Sequence, residues 1–136
     1  QDYRVRLEKP LEKGKGHYDL FIESERHKIV IELKYKKKET KNKKWKGEKF
    51  NLKPDKAYPD NKRRFIKDLH RLEEFVGENP FRFGYIIFLT NDEAYNNKTY
   101  KLNDGHKIST KRRSYEIKWT PYGTLDFKYI ILEVAK

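Results

Sequence analysis

An aspartate, a glutamate and a lysine that could do chemistry lie within two runs of strand-forming residues near the start of the chain. Asp19 falls in HYDLFIE, residues 17–23, and Glu32 and Lys34 fall in KIVIELKYK, residues 28–36. Both runs are rich in Ile, Val, Phe and Tyr, which favours β-strands. Charge that is buried or half-buried is unfavourable unless something compensates it. Two carboxylates and an amine so placed have the chemistry to bind a cation or to stabilise charge in a reaction.

The spacing of the two runs brings the carboxylates together. Only four residues separate the runs, which suits a hairpin turn. With that connection Glu23 faces Lys28 and Asp19 faces Glu32, and the opposite charges of Glu23 and Lys28 support the register. Period-two alternation puts Lys34 on the same face as Glu32. Apolar side chains fill the other face: Tyr18, Leu20, Ile22, Ile29, Ile31 and Leu33.

Like charges directly opposite each other destabilise a sheet, and three arrangements relieve them. One carboxylate can hold a proton, Lys34 can pair with one of them, or a divalent cation can lie between them. Mg²⁺ binds through one or two carboxylates plus waters and substrate phosphates. Asp19 and Glu32 supply the two carboxylates. Such a cation would polarise a phosphoryl oxygen and lower the pKa of a bound water, while Lys34 orients the nucleophile. The alternative is a salt-bridged hairpin with one solvated face.

One helix is predicted after the hairpin. Phe65, Leu69, Leu72 and Val76 recur at three- and four-residue intervals, which predicts a helix over about 61–76. Asp60 or Asn61 is a candidate cap for its start, and Gly77 for its end.

Further strands surround this helix. FRFGYIIFLTND, residues 81–92, is nearly continuous in apolar residues, which is typical of a strand buried on both faces. A weaker strand is expected at residues 3–8, and later ones in SYEIKW and FKYIILEV. A helix between two strands suits a crossover between parallel strands, so the fold class is α/β or mixed α+β with a mixed central sheet.

The composition favours a polyanionic partner. The 33 lysines and arginines exceed the 21 aspartates and glutamates, giving a net charge of +12. Nucleic acid is favoured over a membrane, because the sequence has no amphipathic basic helix and no long apolar stretch. The absence of cysteine excludes disulfides and thiolate metal sites. We expect one domain over residues 1–136 in a cytoplasmic protein, and the non-methionine start suggests a fragment of a longer chain.

The motif around the hairpin resembles that of a known nuclease superfamily. Asp19, followed after twelve residues by ELK at 32–34, is similar to the D and ExK elements of the PD-(D/E)XK nucleases, the restriction-endonuclease-like superfamily. The order of hairpin, helix and buried strand over roughly residues 17–92 is similar to that of its common core. The resemblance implies that Asp19 and Glu32 are metal ligands and that Lys34 is the catalytic lysine. It also implies Mg²⁺ as cofactor, which Mn²⁺ can replace, and DNA as substrate.

Two features depart from that superfamily's pattern. Tyr18 stands where the name-giving proline would be. An N-terminal helix, which in many members supplies another acidic residue, is missing. Glu8, Glu12 or a residue outside this chain is a candidate for that role.

Basic residues near the hairpin are candidates for contact with nucleic acid. KKKETKNKKWK, residues 36–46, holds seven lysines and one tryptophan, and it leads into a segment, 37–60, that we expect to be a basic loop. Its lysines would neutralise phosphates and its tryptophan would stack on a base, and the alternative is a solvated linker. We interpret Lys67 and Arg71 as part of an ordinary charged helix face. The candidates are Lys36, Lys37, Lys38, Lys43, Lys44, Trp45, Arg63 and Arg64.

The sequence therefore predicts a metal-dependent endonuclease that hydrolyses DNA phosphodiester bonds, of restriction or defence type. The alternative is a non-catalytic basic nucleic-acid-binding module on the same fold. Basic charge does not distinguish DNA from RNA. We expect no membrane partner, and we interpret the strands from Tyr115 onward either as the edge of a homodimer or as an extension of the sheet.

Overall fold

A computed structural model describes residues 2–11, 14–36, 40–45, 47–52, 58–92, 102, 104–123 and 126–134, with the backbone alone for 40–45, 49–52 and 58–62. Its elements, in chain order, are β1 Arg4–Pro10, β2 His17–Glu23, β3 Lys28–Lys36, β4 Thr40–Trp45, β5 Glu48–Leu52, α1 Tyr58–Val76, β6 Arg82–Thr90, β7 Lys107–Ser109, β8 Ser114–Glu116, β9 Thr120–Tyr122 and β10 Phe127–Val134. Six strands form a mixed sheet in the order β1-β2-β3-β6-β10-β9. Two separate hairpins, β4-β5 and β7-β8, complete the described strands.

The predicted hairpin is present, and its two strands have the predicted bounds. Strands β2 and β3 are antiparallel, and Glu23 pairs with Lys28 as the four-residue connection requires. Two hydrogen bonds close the turn: the backbone N–H of Ser24 donates to the carbonyl of His27 at 2.9 Å, and the backbone N–H of His27 donates to Oγ of Ser24 at 3.0 Å.

The predicted crossover is also present, because α1 connects β3 to β6 and these two strands are parallel. The helix ends at Val76, as predicted, and Gly77 follows with a φ of +49° that favours glycine. It begins earlier than predicted, so Asp60 and Asn61 lie inside the helix and the prediction that one of them caps it is wrong. Pro59 permits this earlier start, because proline is tolerated in the first helical turn.

The core lies between α1 and one face of the sheet. Leu72 is fully buried on the sheet side of the helix, and it lies close to Gly84 of β6. A Cβ atom at Gly84 would approach Cβ of Leu72 to 3.2 Å, so glycine allows the helix to come this close to the sheet. The most buried large side chains are Phe21, Val30, Phe65, Leu69, Leu72, Ile86, Phe88, Leu102, Ile117, Ile130 and Val134.

The helix covers the face of the hairpin that carries the charged residues. Phe21, Val30 and Glu32 are at most 2% exposed, whereas Leu33 on the opposite face is 54% exposed. Of the six apolar residues expected to fill one face, Tyr18 alone is buried, against Phe75 of α1. Both faces of the hairpin carry large apolar side chains, so its own alternation does not decide which one packs against the helix.

The second face of the sheet is apolar and partly exposed. In β6, Ile86 and Phe88 are buried but Tyr85, Ile87 and Leu89 are not fully buried, so the predicted burial on both faces is wrong. The physical reason is that α1, the one helix in the described ranges, packs on the other face. Cross-strand pairing places these exposed apolar side chains on the open face: Val5, Leu7, Leu33, Tyr35, Tyr122 and Ile131.

The basic segment 37–60 contains regular structure rather than forming a loop throughout. Residues 40–45 and 48–52 are antiparallel strands joined by a two-residue connection, and Trp45 pairs with Glu48 at its end. Gly47 has a φ of +80°, a conformation that such tight hairpin turns require. The expectation of a loop is therefore wrong for β4 and β5. Both strands form although lysine, which they contain, is depleted in strands.

The C-terminal strands extend the sheet, one of the two arrangements expected for them. Strand β10 pairs with β6 along nearly its whole length, and β9 forms the edge beyond it. Strand β8 pairs with β7 instead, and this hairpin is held to α1 by Glu73. Oε2 of Glu73 accepts hydrogen bonds from Oγ1 of Thr110 at 2.7 Å and from the hydroxyl of Tyr115 at 2.9 Å.

None of the described helices is long and apolar enough to cross a membrane.

Candidate functional site

Asp19 and Glu32 lie next to each other on the face of the sheet that α1 covers. The recorded pairing of β2 with β3 ends at Leu20 and Ile31, directly before the two carboxylates. The backbone N–H of Leu33 donates to Oδ2 of Asp19 at 2.7 Å, which fixes that side chain against β3. The Asp19 carboxylate is close enough to Glu32 to raise the pKa of the Glu32 carboxyl. The two carboxylates are therefore neighbours, as predicted, although the register of β2 and β3 does not extend to a direct pairing of Asp19 with Glu32.

Glu32 is the buried member of the pair, at 2% exposure. Burial raises its pKa to about 7 from an ordinary value of 4.5. The positive charge of Arg71 opposes this, whereas the hydrogen bond to Asp19 and the negative charges of Asp19 and Asp68 reinforce it. The raised pKa favours proton sharing, one of the three arrangements predicted for relieving this pair.

Lys34 is directed to the helix rather than to the carboxylate pair. Its Nζ lies 2.5 Å from Oδ2 of Asp68, and both side chains are largely buried. Oδ1 of Asp68 accepts a hydrogen bond from Nη2 of Arg71 at 3.0 Å. Lys34 therefore belongs to the same network as Glu32, but the described contacts connect the two through Asp68 and Arg71.

Arg71 closes this network. Its Nη2 lies 2.5 Å from Oε1 of Glu32 and also bonds to Asp68. Our interpretation of Arg71 as an ordinary surface charge is wrong, because the helix turns this residue towards the sheet. The resulting charge-paired network consists of Asp19, Glu32, Lys34, Asp68 and Arg71. Its three carboxylates exceed its two cations, so one negative charge is uncompensated when all three carboxylates are ionised.

Sequence reasoning missed Asp68 and Arg71 as members of the site. A signal was present, because each of them immediately precedes a residue of the apolar stripe of α1, Leu69 or Leu72. Charges that border such a stripe lie at the rim of the buried face, where they reach groups on the sheet. The helix packs over β6, and its side chains reach across to the neighbouring strand β3, which carries Glu32 and Lys34.

The donor set of the carboxylate pair suits a hard divalent cation. The bonds from Leu33 and Arg71 engage one oxygen each of Asp19 and Glu32, and each carboxylate has a second oxygen. No group of three or more His, Cys, Asp or Glu side chains within the described ranges has metal-binding geometry. Mg²⁺ fits this set, because it typically takes one or two carboxylates and completes its coordination with water and phosphate.

The other predicted site residues have different placements. Lys36 ends β3 and is half-buried, and Arg63 and Arg64 are exposed on α1. In β1 the neighbours of Glu8 pair with Leu20 and Tyr18, so Glu8 lies across from Asp19. Its side chain is exposed. Some predictions fall on side chains outside the described residues: Glu12, Lys37, Lys38, Lys43, Lys44 and Trp45.

Comparisons of the chain with protein-family models, with curated proteins and with solved structures find no match.

Proposed function

We propose that this chain is a metal-dependent endonuclease that hydrolyses phosphodiester bonds in DNA. The observation that carries the proposal is the pair of neighbouring carboxylates, in which Asp19 is held against β3 by the N–H of Leu33 and Glu32 is buried. A chain with a net charge of +12 is also suited to a polyanionic substrate.

The residues of the charge-paired network have separate roles in the proposed hydrolysis. Asp19 and Glu32 would hold the cation, which when bound polarises a phosphoryl oxygen and lowers the pKa of a coordinated water. Lys34 would place its ammonium group beside the phosphate and stabilise the negative charge that develops there. Asp68 positions Lys34 through their 2.5 Å ion pair.

Cleavage of plasmid DNA in the presence of Mg²⁺ tests this function. We expect the wild-type chain to nick the plasmid, and we expect Glu32→Gln and Lys34→Met to lose at least about 100-fold in rate, the lower range for removing an electrostatic or acid–base group. Glu23→Gln and Lys28→Met are matched controls on the same two strands and should retain activity. Retained cleavage in both Glu32→Gln and Lys34→Met would contradict the proposal.

The charge-paired network also supports a second candidate, a non-catalytic nucleic-acid-binding module. In that case the ion pairs of Arg71 with Glu32 and of Lys34 with Asp68 are structural and need no cation. Thermal unfolding with increasing Mn²⁺ or Ca²⁺ separates the two candidates. A cation that binds only the folded state raises the unfolding midpoint, and Glu32→Gln should abolish that rise. A midpoint that does not change with the cation would favour the binding module.

A further inference from the structure

A basic cleft lies beside the charge-paired network. It has a volume of about 710 Å³ and lies between one side of α1 and the connection from β1 to β2. Among the described residues of its wall, Glu74 is the one acidic side chain. Its basic side chains are Lys15, Lys67, His70, Arg71, Arg82 and Arg112. The lysines and arginines among them give the cleft an excess of positive charge, which in a concave surface attracts an anion.

Two of the arginines are held in place at the C-terminal end of α1. Nη1 of Arg112 donates to the carbonyl of Glu73 at 3.2 Å, and Nη1 of Arg82 donates to the carbonyl of Phe75 at 3.1 Å. Guanidinium groups anchored in this way lose little freedom when they bind a ligand. Their planar arrangement of N–H donors matches a phosphate group.

Arg71 belongs to both the cleft and the charge-paired network. Its Nη2 contacts Glu32 and Asp68, whereas its Nη1 lies near the backbone of Gly16 in the connection from β1 to β2. Its Nε is buried and has no hydrogen-bond partner among the described residues. A buried donor without a partner is unfavourable, and an anion in the cleft could supply one.

We propose that this cleft binds a phosphate group of the nucleic-acid substrate, and that Arg71 turns from Glu32 to that phosphate when the nucleic acid binds. The identity of the ligand rests on the function proposed above. The movement of Arg71 releases Oε1 of Glu32 to the cation. Nucleic acid and cation therefore bind with positive coupling, and each raises the affinity for the other by the same factor.

The first experiment measures binding without cleavage. A fluorescent duplex DNA oligonucleotide is titrated with the chain in EDTA at several salt concentrations. We expect Lys67→Gln and Arg112→Gln each to weaken binding by about fivefold or more and to reduce the salt slope by about one. Lys107→Gln, an exposed residue of β7 outside the cleft wall, removes the same charge and should have a smaller effect. Equal effects of all three variants would overturn the phosphate site.

The second experiment measures the coupling. The same titration is repeated with Ca²⁺, and we expect the affinity of the wild-type chain for DNA to increase by about fivefold to 150-fold. In Arg71→Lys, which keeps the positive charge but loses the planar donors, this factor should fall towards one. Arg71→Gln provides a second variant if Arg71→Lys fails to fold. A coupling factor that is absent in the wild-type chain, or unchanged in the variants, would overturn the role of Arg71.

These results are separable from the proposed function. If the cleft variants weaken binding and Ca²⁺ strengthens it, but Mg²⁺ gives no cleavage, the cleft is a phosphate site on a non-catalytic module. If cleavage occurs but the cleft variants bind DNA like the control, the nuclease assignment holds and the cleft proposal fails.

Discussion

Glu32 combines deep burial with a direct contact to a guanidinium, and these two surroundings act on its pKa in opposite directions. Burial prevails, because a carboxylate with little access to water loses more solvation than one partly shared arginine restores. The protonated form of Glu32 is consequently well populated near neutral pH. A cation at the pair would therefore compete with a proton.

The raised pKa of Glu32 predicts how stability depends on pH. Between 4.5 and about 7 the folded state holds a proton that the unfolded state has lost. This contribution to the free energy of unfolding is therefore full below pH 4.5 and is lost as the pH rises through about 7. Thermal unfolding in EDTA at several pH values measures it. The wild-type midpoint should fall relative to that of Glu32→Gln as the pH increases, whereas Glu23→Gln should follow the wild type. A wild-type curve parallel to that of Glu32→Gln would contradict the assignment.

A substitution of Asp68 should separate the positioning of Lys34 from the binding of DNA. We expect Asp68→Asn to lower the free energy of unfolding by about 1–3 kcal/mol, because Lys34 and Arg71 lose a charged partner. We also expect kcat for DNA cleavage to fall more than KM rises, since Lys34 would no longer be held beside the reacting phosphate. Glu116→Gln, an exposed residue of β8, is the control. A change confined to KM would show that Asp68 does not position Lys34.

The strands of the sheet have two unequal faces, and β10 shows the difference in adjacent residues. Ile130 is 1% exposed on the helix side, whereas Ile131 is 54% exposed on the open face. We expect Ile130→Ala to lower the free energy of unfolding by about 2–5 kcal/mol, because it leaves a cavity in the core. Ile131→Ala should change it by less than about 1 kcal/mol. Denaturant unfolding of the two variants is the measurement, and equal losses would mean that the open face is covered in solution.

The sequence predicts elements here better than it predicts the packing between them. The bounds of β2, β3 and β10, and the pairing of Glu23 with Lys28, follow from local alternation and a short turn. Those same features place Asp19 beside Glu32. The choice of buried face does not follow, because Phe21 and Leu20 are equally suitable for a core and the docking of α1 decides between them.

Local sequence patterns do not predict the helix residues that contact Glu32, for a related reason. Asp68 and Arg71 are 36 to 39 positions from Glu32 in the chain, and the orientation of the helix alone brings them to it. Local patterns do not predict the hairpin of β4 and β5, because four of the eleven residues in these strands are lysine, which is depleted in strands.

The net charge of the whole molecule, +12, predicts a response to salt. Charges of one sign repel each other in the compact state, and added salt screens that repulsion. We expect the unfolding midpoint to rise by a few degrees as NaCl increases from about 0.05 M to 0.5 M. A non-ionic solute at equal osmolality is the control for a general solute effect. A midpoint that falls with NaCl would mean that the internal ion pairs outweigh the surface repulsion.

The parallel pairing of β3 with β6 has a consequence for the kinetics of folding. Each of its nine pairs joins residues 54 positions apart, as Lys28 and Arg82 are. Closing a connection of this length costs about 3–4 kcal/mol in chain entropy, whereas the hairpin of β2 and β3 closes locally and early. Asp19 and Glu32 therefore meet while still surrounded by water, and burial of Glu32 follows only when α1 docks. If docking comes after the rate-limiting step, changing the ionisation of Glu32 alters the rate of unfolding and leaves the rate of folding nearly constant.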